Sequence, residues 1–291
     1  MANGANIWRA VCALFLLAFI GACSTSETLR TVDPGPLPLA NASPKYAALV
    51  IDATTGRTLH AVNATLPRYP ASLTKMMTLY LLFEAMQSGR VSTSTLIPVS
   101  ERAARQPPSK LRLRPGDQID VDTAIRALAT KSANDVAVAV GEYLGGSEDQ
   151  FAAMMNAKAR QLGMTGTTFR NASGLNDPGQ VTTARDMAAL GLALRKRFPE
   201  KFAYFSATSF NFRGKNIRGH NELLSRVQGV DGIKTGYVRA SGFNIVTSVR
   251  SGGKSLIVVL MGGATARARN NEVEMLIDRF LGRQPAIAYA Q

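Results

Sequence analysis

The chain has 291 residues, of which 46% are hydrophobic and 7% aromatic, and its formal net charge is +14. A chain of this length and composition forms one large globular domain or two modest ones, and is neither disordered nor fibrous. Its lysines and arginines are spread along the sequence without a basic block or interleaved aromatic residues, so we predict no nucleic-acid partner. Association with an anionic envelope or polymer agrees with the charge, although a generally basic proteome explains it best.

The first 22 residues have the layout of a secretory signal peptide. A short segment with one charge, Arg9, precedes an apolar run from Ala10 to Ile20 that is too short for a comfortable transmembrane helix. We therefore predict export to the periplasm or cell envelope. The sequence Ile20–Cys23 resembles a bacterial lipobox, which would place a lipid anchor on Cys23; ordinary cleavage, with Cys23 left free or removed, is the alternative. Cys12 leaves with the signal, so no internal disulfide can form.

The remaining residues divide into a tether, a domain and a tail. Residues 23–44 are rich in proline and small polar residues and predict a tether without secondary structure. Residues 45–282 carry the apolar periodicity of a folded domain, and residues 283–291 form a short tail. If Cys23 carries lipid, the tether would hold the domain away from the membrane.

The predicted domain begins with two strands and continues with helices. Apolar runs on either side of a turn predict strands at Tyr46–Asp52 and Thr58–Val62. Apolar residues at helical spacing predict helices from Ser72 to about Gln87 and at Val121–Thr130, Asn134–Leu144, Asp149–Leu162 and Thr183–Arg197. Residues 90–118 and 171–180 are rich in turn-forming residues and are predicted to be irregular.

From Phe202 onward the sequence has strand composition. The predicted strands are Ala203–Phe212, Ile233–Tyr237, Phe243–Arg250 and Ser255–Met261, with Gly252 and Gly253 as a hairpin turn between the last two. A helix at Asn271–Leu281 closes the domain. Because strands at both ends enclose a helical middle, we predict an α/β (α+β) fold. One antiparallel sheet, built from both ends of the domain and flanked by helices, would carry an inserted all-helical lobe.

Ser72 and Lys75 stand one helical turn apart at the start of the first predicted helix. Residues at this spacing lie on the same helix face, which would bring the Lys75 amine against the Ser72 hydroxyl. An amine in a dry pocket can be neutral and can serve as the base for a serine nucleophile. Alone, this Ser-x-x-Lys motif is weak, because a capped, solvated helix start produces it as well.

Two further motifs strengthen the catalytic interpretation of Ser72-Leu73-Thr74-Lys75. They are Ser132-Ala133-Asn134, between two predicted helices, and Lys234-Thr235-Gly236, on a predicted strand. Each tripeptide is frequent by chance. The three in this order are the signature of penicillin-recognising serine enzymes.

The chain resembles the D-alanyl-D-alanine carboxypeptidases, the low-molecular-mass penicillin-binding proteins of the S11 serine peptidase family. Beyond the three motifs, the similarity includes Leu113–Asp117, Gly146–Glu148, Leu162–Met164, Thr183–Met187 and Asp231–Asn244, and it extends from about Tyr46 to Leu281. The resemblance implies a β-lactamase/transpeptidase-like fold. It also implies a cell-wall hydrolase that removes the terminal D-Ala from peptidoglycan pentapeptide stems, with β-lactams as covalent inhibitors.

The resemblance implies a catalytic role for four motif residues. Ser72 would attack the carbonyl between two D-alanines, and Lys75 would be its base. Ser132 would relay a proton to the leaving amine, and Asn134 would hold Lys75 and the substrate amide.

The implied substrate-binding residues are Lys234, Thr235, Gly236, Tyr237 and Arg269. Lys234 would help to keep Lys75 neutral and, with Thr235, would bind the substrate's terminal carboxylate. The backbone N–H groups of Ser72 and Tyr237 would form an oxyanion hole, and Gly236 would leave room for the substrate along the strand. Arg269 is the best match to the family's carboxylate-binding arginine.

The chain departs from the family pattern at Ser173, where many relatives have histidine. It also stops soon after Leu281, without the β-rich domain and amphipathic helix that follow in many relatives, so we expect any membrane anchor at the N-terminus.

No Cys/His cluster or Gly-rich phosphate loop occurs in the sequence, and we predict no metal and no other cofactor.

Other functions stay open. A DD-endopeptidase that cuts D-Ala–meso-diaminopimelate crosslinks would use the same residues. A non-catalytic lipoprotein that senses peptidoglycan or β-lactams would keep the fold, although it would not need both a nucleophile and its base. A class A β-lactamase is disfavoured, because no Glu-x-x-x-Asn element occurs near residues 171–180.

Overall fold

The computed structural model describes residues 43–283. The predicted signal peptide, the lipid on Cys23, most of the tether and the tail beyond Arg283 lie outside the described residues and stay predictions. Within the described range, no helix is long and apolar enough to cross a membrane. In the same range, no group of three or more His, Cys, Asp or Glu side chains is placed to hold a metal ion.

The described chain alternates between strands and helices. The strands are β1 (Ala47–Asp52), β2 (Thr58–Val62), β3 (Leu96–Pro98), β4 (Gln118–Asp120), β5 (Ser209–Phe212), β6 (Lys215–Arg218), β7 (Val230–Val238), β8 (Gly242–Ser251) and β9 (Lys254–Gly263). The α-helices are α1 (Lys75–Gln87), α2 (Glu101–Ala104), α3 (Val121–Arg126), α4 (Asn134–Gly145), α5 (Glu148–Gln161), α6 (Ala184–Arg197), α7 (Leu223–Arg226) and α8 (Ala266–Leu281). Short 3-10 helices cover Ala71–Thr74 and Lys201–Ser206, and a π-helical turn covers Ala127–Lys131.

One antiparallel sheet has the strand order β2-β1-β9-β8-β7. The strand β1, from the start of the domain, pairs with β9, from its end, so that Leu49 stands opposite Val259. The predicted hairpin turn at Gly252 and Gly253 is present, with φ angles of 55° and 76°. The predicted sheet built from both ends of the domain is therefore confirmed. Its order leaves β7 at one edge.

The helix α1 forms the centre of the domain. Nearly all its residues from Lys75 to Ala85 are buried, as expected for a helix that is apolar on all sides. The Phe83 ring packs edge-on against Phe198 and Phe205, with centroids 5.5 and 6.1 Å away. This packing fixes the position of the 3-10 turn that leads into α1 and carries Ser72.

The predicted strand Ala203–Phe212 is wrong over its first part. Residues Lys201–Ser206 form a 3-10 helix, and the strand β5 begins only at Ser209. Phe202 and Phe205 explain the difference. They are three residues apart, so a 3-10 helix, with three residues per turn, places both rings in the core.

Two further boundaries differ from the sequence prediction. Residues 90–118 are not wholly irregular, since they contain β3 and α2, and Ile97 of β3 pairs with Ile119 of β4. The last helix begins five residues early, at Ala266 instead of Asn271. Thr265 caps it, because its hydroxyl oxygen accepts a hydrogen bond from the Ala268 N–H at 3.0 Å.

Asp186, in the first turn of α6, fastens the preceding loop to the helix. Its carboxylate is buried and accepts hydrogen bonds from the Gly166 N–H at 2.9 Å and the Thr167 hydroxyl at 2.6 Å. The Asp186 N–H donates to the hydroxyl oxygen of Thr183, the N-cap residue. Asp186 therefore has a structural role at the start of α6.

We expect Asp186→Ala to lower the free energy of unfolding by about 3 kcal/mol, because two donors to a buried carboxylate lose their acceptor. Urea denaturation measures this. Asp149→Ala, which removes an exposed acid from the first turn of α5, is the matched control and should change stability by less than about 0.5 kcal/mol. Equal effects of the two substitutions would contradict the assignment.

Candidate active site

Ser72 lies on the 3-10 turn Ala71–Thr74, between two glycines that allow a very close approach of neighbouring segments. A Cβ added to Gly174, whose φ is +84°, would come within 1.9 Å of the Ala71 carbonyl oxygen. A Cβ on Gly236 would lie 3.1 Å from the Pro70 carbonyl oxygen and from the Ser72 nitrogen. Glycine is therefore needed at position 236 because β7 contacts the Ser72 segment there. From the sequence we expected a different reason, namely room for the substrate along the strand.

The Lys75 amine is fully buried and contacts three oxygen atoms. Its Nζ lies 3.2 Å from the Ser72 hydroxyl oxygen, donates to Oδ1 of Asn134 at 2.8 Å and donates to the Ser173 carbonyl. The predicted contact between Lys75 and Ser72 across one helical turn is present. A neutral amine has two N–H groups and one lone pair. With both N–H groups directed to carbonyl oxygens, the lone pair is available to the Ser72 hydroxyl.

Electrostatics favour the neutral form of this amine. Burial lowers the pKa of Lys75 well below its usual value, and the nearby charge of Lys234 lowers it further, while Asp135 acts in the opposite direction. No acidic side chain forms an ion pair with Lys75 within the described residues. The neutral amine can therefore take a proton from Ser72.

Ser132 and Asn134 follow the π-helical turn, a distortion that is common at functional sites. Ser132 has left-handed backbone angles, φ 61° and ψ 38°, and its buried hydroxyl has no hydrogen-bond partner among the described residues. The amide of Asn134 is fixed by donation from Nδ2 to the Pro107 carbonyl at 2.9 Å, which directs Oδ1 to Lys75.

The edge strand β7 supplies the opposite wall of the site. Lys234 is buried, and its Nζ donates to the Thr235 carbonyl at 2.9 Å. Burial, and then the charge of Arg269, lower the pKa of Lys234 to about 7. The Tyr237 ring is half exposed and packs on Phe243, with centroids 4.3 Å apart.

Arg269, in the first turn of α8, is held by its neighbours. Its Nε and Nη2 donate to Oδ1 of Asn270 at 3.1 and 2.7 Å, and its Nη1 donates to the Asn244 carbonyl at 3.2 Å. Nδ2 of Asn270 in turn donates to Glu222 at 2.8 Å. Burial lowers the pKa of Arg269 to about 10, and the charge of Glu222 opposes this. Among the described residues, one N–H on each terminal nitrogen of Arg269 has no acceptor and is left for a ligand.

A cleft of about 530 Å³ brings the predicted site residues together. Those that line it are Ser72, Ser132, Asn134, Thr235, Gly236, Tyr237 and Arg269. Lys75 and Lys234 lie buried beneath its surface. The structure therefore brings all the predicted site residues together. Seven of them line the cleft, and the two lysines lie beneath them.

Sequence reasoning missed several residues that hold the site. The Ser173 carbonyl binds Lys75, and the Ser173 hydroxyl bonds to Asn171 within its own loop. Asp135 is buried and accepts from the N–H groups of Leu111 and Leu113. Only Asp135 had a sequence signal, since it directly follows the Ser132-Ala133-Asn134 motif. A backbone carbonyl leaves no such signal.

The comparisons with known proteins identify the family. A family model described as D-alanyl-D-alanine carboxypeptidase matches residues 40–265. The chain belongs to the D-alanyl-D-alanine carboxypeptidase family. All the predicted site residues except Arg269, which follows shortly after, lie inside the matched range.

Individual members of this family are similar over most of the described domain. The chain is 37% identical over 238 residues to D-alanyl-D-alanine carboxypeptidase DacC of Escherichia coli, covering 79% of this chain and 60% of that protein. It thus spans less than two thirds of that relative's length.

Two solved structures share the fold. Penicillin binding protein 5 of Haemophilus influenzae superposes with a TM-score of 0.78 at 33% identity, covering 81% of this chain and 70% of that one. Penicillin-binding protein D2 of Listeria monocytogenes, in its cefotaxime-bound form, gives 0.73 at 31% identity, covering 80% and 95%. The predicted fold class is confirmed.

We expect Lys234→Ala to move the acid limb of Ser72 acylation to higher pH. Lys234 lowers the pKa of Lys75 by like-charge repulsion, so its removal raises that pKa and keeps the base protonated up to a higher pH. The measurement is the pH dependence of acylation by an activated ester without a carboxylate. Lys234 is expected to help to bind the substrate carboxylate, and this ester removes that contribution from the result.

Lys254→Ala, at the exposed first residue of β9, is the control for this experiment and should leave the acid limb in place. An acid limb that stays fixed, or moves to lower pH, in Lys234→Ala would show that Lys234 does not help to keep Lys75 neutral.

Proposed function

We propose that this protein is a serine DD-carboxypeptidase that removes the terminal D-Ala from peptidoglycan pentapeptide stems through a Ser72 acyl-enzyme. The observation that carries the proposal is the buried Lys75 amine, 3.2 Å from the Ser72 hydroxyl oxygen, with two carbonyl oxygens accepting its N–H groups. Membership of the D-alanyl-D-alanine carboxypeptidase family supports it.

The reaction begins with proton transfer from Ser72 to Lys75. Ser72 Oγ forms a bond to the carbonyl carbon between the two D-alanines, and the carbonyl oxygen takes up the negative charge. The backbone N–H groups of Ser72 and Tyr237 stabilise that oxyanion. The C–N bond then breaks, and Ser132, whose buried hydroxyl lacks a partner in the described structure, passes a proton from Lys75 to the departing amine.

Water completes the cycle. It attacks the ester carbonyl of the acyl-enzyme, gives a proton to Lys75 and releases the shortened stem peptide. Ser72 regains its proton as the ester bond breaks. Lys75 accepts a proton once from Ser72 and once from water, and each acceptance requires the neutral amine, which agrees with the lowered pKa of this group.

The terminal carboxylate of the substrate binds to the wall formed by β7 and α8. Thr235 offers its hydroxyl and Arg269 its two remaining N–H groups, and Lys234 adds positive charge from below. A β-lactam carries a carboxylate next to a reactive carbonyl, so it can occupy the same positions and acylate Ser72. Cefotaxime is bound to a relative that is 31% identical to this chain.

We place the protein in the periplasm or cell envelope, where peptidoglycan lies. The secretory signal predicted over residues 1–22 supports this. Attachment to the membrane through a lipid on Cys23 is part of the same proposal. Labelling with radioactive palmitate, lost in Cys23→Ser, tests the lipid.

We expect the protein to release free D-Ala from a defined pentapeptide, and Ser72→Ala to abolish the release. Chromatography of the products from the pentapeptide and from a crosslinked muropeptide dimer measures this. Monomers from the dimer with little free D-Ala would instead establish an endopeptidase. Stem-peptide binding that is unchanged in Ser72→Ala, with no acylation of the parent by a penicillin, would establish the sensor.

We expect Asn270→Ala to raise KM for a carboxylate-bearing peptide by about tenfold, because Arg269 loses an acceptor that receives two of its N–H groups. Activity on the C-terminally amidated peptide should stay within about twofold. Asn271→Ala is the matched control, since the neighbouring Asn271 is exposed and its side chain accepts from Arg226. Equal losses on both peptides would show that Asn270 does not position a carboxylate-binding arginine.

A further inference from the structure

A strip of exposed cations borders one wall of the cleft. It consists of Arg112, Arg114, Arg213, Lys215 and Arg218, which we call the basic rim. The sequence has no acidic residue between Glu101 and Asp117, and none between Glu200 and Glu222. The two acid-free segments are far apart in the chain, so their charge was not visible as a basic block.

The fold brings these two segments together. One leaves the cleft wall at Ser109 and runs to Asp117, and the other, the β5–β6 hairpin, returns to the wall at Gly219. At their far ends Nη2 of Arg213 pairs with Asp117 at 2.9 Å. The basic rim therefore extends outward from the cleft along both segments, with Lys215 and Arg218 on opposite faces of the β5–β6 hairpin.

Most of the charge on this surface is uncompensated. Within the described residues, no ion pair involves Arg112, Lys215 or Arg218. Asp117 is the single acid in the two segments, and it is already paired with Arg213. A surface of this kind attracts an anionic polymer through several weak contacts.

The backbone at two rim positions is strained. Arg112 and Arg213 have φ angles of 63° and 48°, in the left-handed region that favours glycine and asparagine. Arg213 forms the β5–β6 turn with Gly214, where asparagine would fit more easily. Strain of this kind is kept mainly where the side chain has a function.

The rim is wider than a small substrate can cover. The four residues of β6 rise about 13 Å. The terminal dipeptide at the reacting bond spans only about 7 Å, and a fully extended pentapeptide at most about 17 Å. A soluble pentapeptide held in the cleft by its D-Ala end can therefore follow only one line across the rim. A polymer that continues beyond the cleft would cover it.

We propose that the basic rim binds carboxylates of neighbouring stem peptides on the same peptidoglycan polymer, so that the enzyme acts preferentially on polymeric substrate. This rests on the proposed function, because the polymer must present a stem peptide to Ser72.

An anionic membrane surface is less suited to the rim. Membrane-binding surfaces add apolar side chains to the cations, and none of the exposed large hydrophobic residues of the described chain lies in these two segments.

The test compares two double substitutions that change the net charge equally. Lys215→Glu with Arg218→Glu alters the rim. Arg57→Glu with Arg90→Glu alters two exposed cations that do not line the cleft. D-Ala release is measured on intact sacculi and on a soluble pentapeptide, and co-sedimentation with sacculi measures binding without catalysis.

We expect the rim variant to lose about tenfold in activity on sacculi at low ionic strength and to stay within about twofold of the parent on the pentapeptide. Raising the ionic strength from about 0.02 M to about 0.5 M should remove the difference between variant and parent. The control variant should match the parent in both assays. Equal losses on both substrates, no loss on sacculi, or the same loss in the control would overturn the proposal.

A second variant guards against misfolding of the hairpin. Arg112→Gly removes a rim charge at a backbone position that suits glycine, so it should fold at least as stably as the parent and still bind sacculi more weakly. Rim-dependent sedimentation with anionic lipid vesicles, but not with sacculi, would replace the polymer by a membrane. A parent that releases no D-Ala yet sediments with sacculi through the rim would overturn the proposed function and the preference for polymeric substrate, and only the binding of the rim to the polymer would stand.

Discussion

The site depends on one amine that is kept out of water. Lys75 is fully buried, and its partners are a side-chain amide, a backbone carbonyl and the Ser72 hydroxyl, none of which carries a charge. Burial of an ammonium without a counter-ion is strongly unfavourable, so the neutral amine is the stable form. The surrounding structure is needed to maintain this state: α1 positions the amine, α4 presents Asn134, and the loop before α6 presents the Ser173 carbonyl.

The same requirement explains the close packing around Ser72. Gly174 and Gly236 approach the Ser72 segment from two sides, so that backbone atoms touch where side chains would ordinarily separate them. This contact excludes water from the space around Lys75 and holds β7 beside Ser72. Asn244 strengthens the junction, since its Nδ2 donates to the Tyr69 carbonyl at 3.0 Å and its Oδ1 accepts from the Gly262 N–H at 3.0 Å. The Asn244 side chain thereby joins the segment that leads to Ser72 to β8 and β9.

Much of this site could be predicted from the sequence, because its chemistry lies in short motifs. The Ser72–Lys75 contact follows from local helix geometry, and the order of the three motifs identified the rest. The residues that position these groups could not be found in the same way. Glu222 and Asn270 meet only through the tertiary fold, and the Ser173 carbonyl has no side-chain signature. The prediction of a strand over Ala203–Phe212 was wrong over its first part, because two core residues, Phe202 and Phe205, are spaced for a 3-10 helix.

The position of β1 between β2 and β9 has a consequence for the order in which the domain folds. Strands from opposite ends of the domain must pair, and closing so long a loop loses chain entropy before any contact is gained. On their own, β1 and β2 are a two-stranded hairpin, which is at best marginally stable in water. The sheet is therefore completed only when β9 is available to pair with β1, and until then the unpaired edge of β1 is open to other chains. Because β7 belongs to this sheet, the wall that carries Lys234 forms at the same late stage.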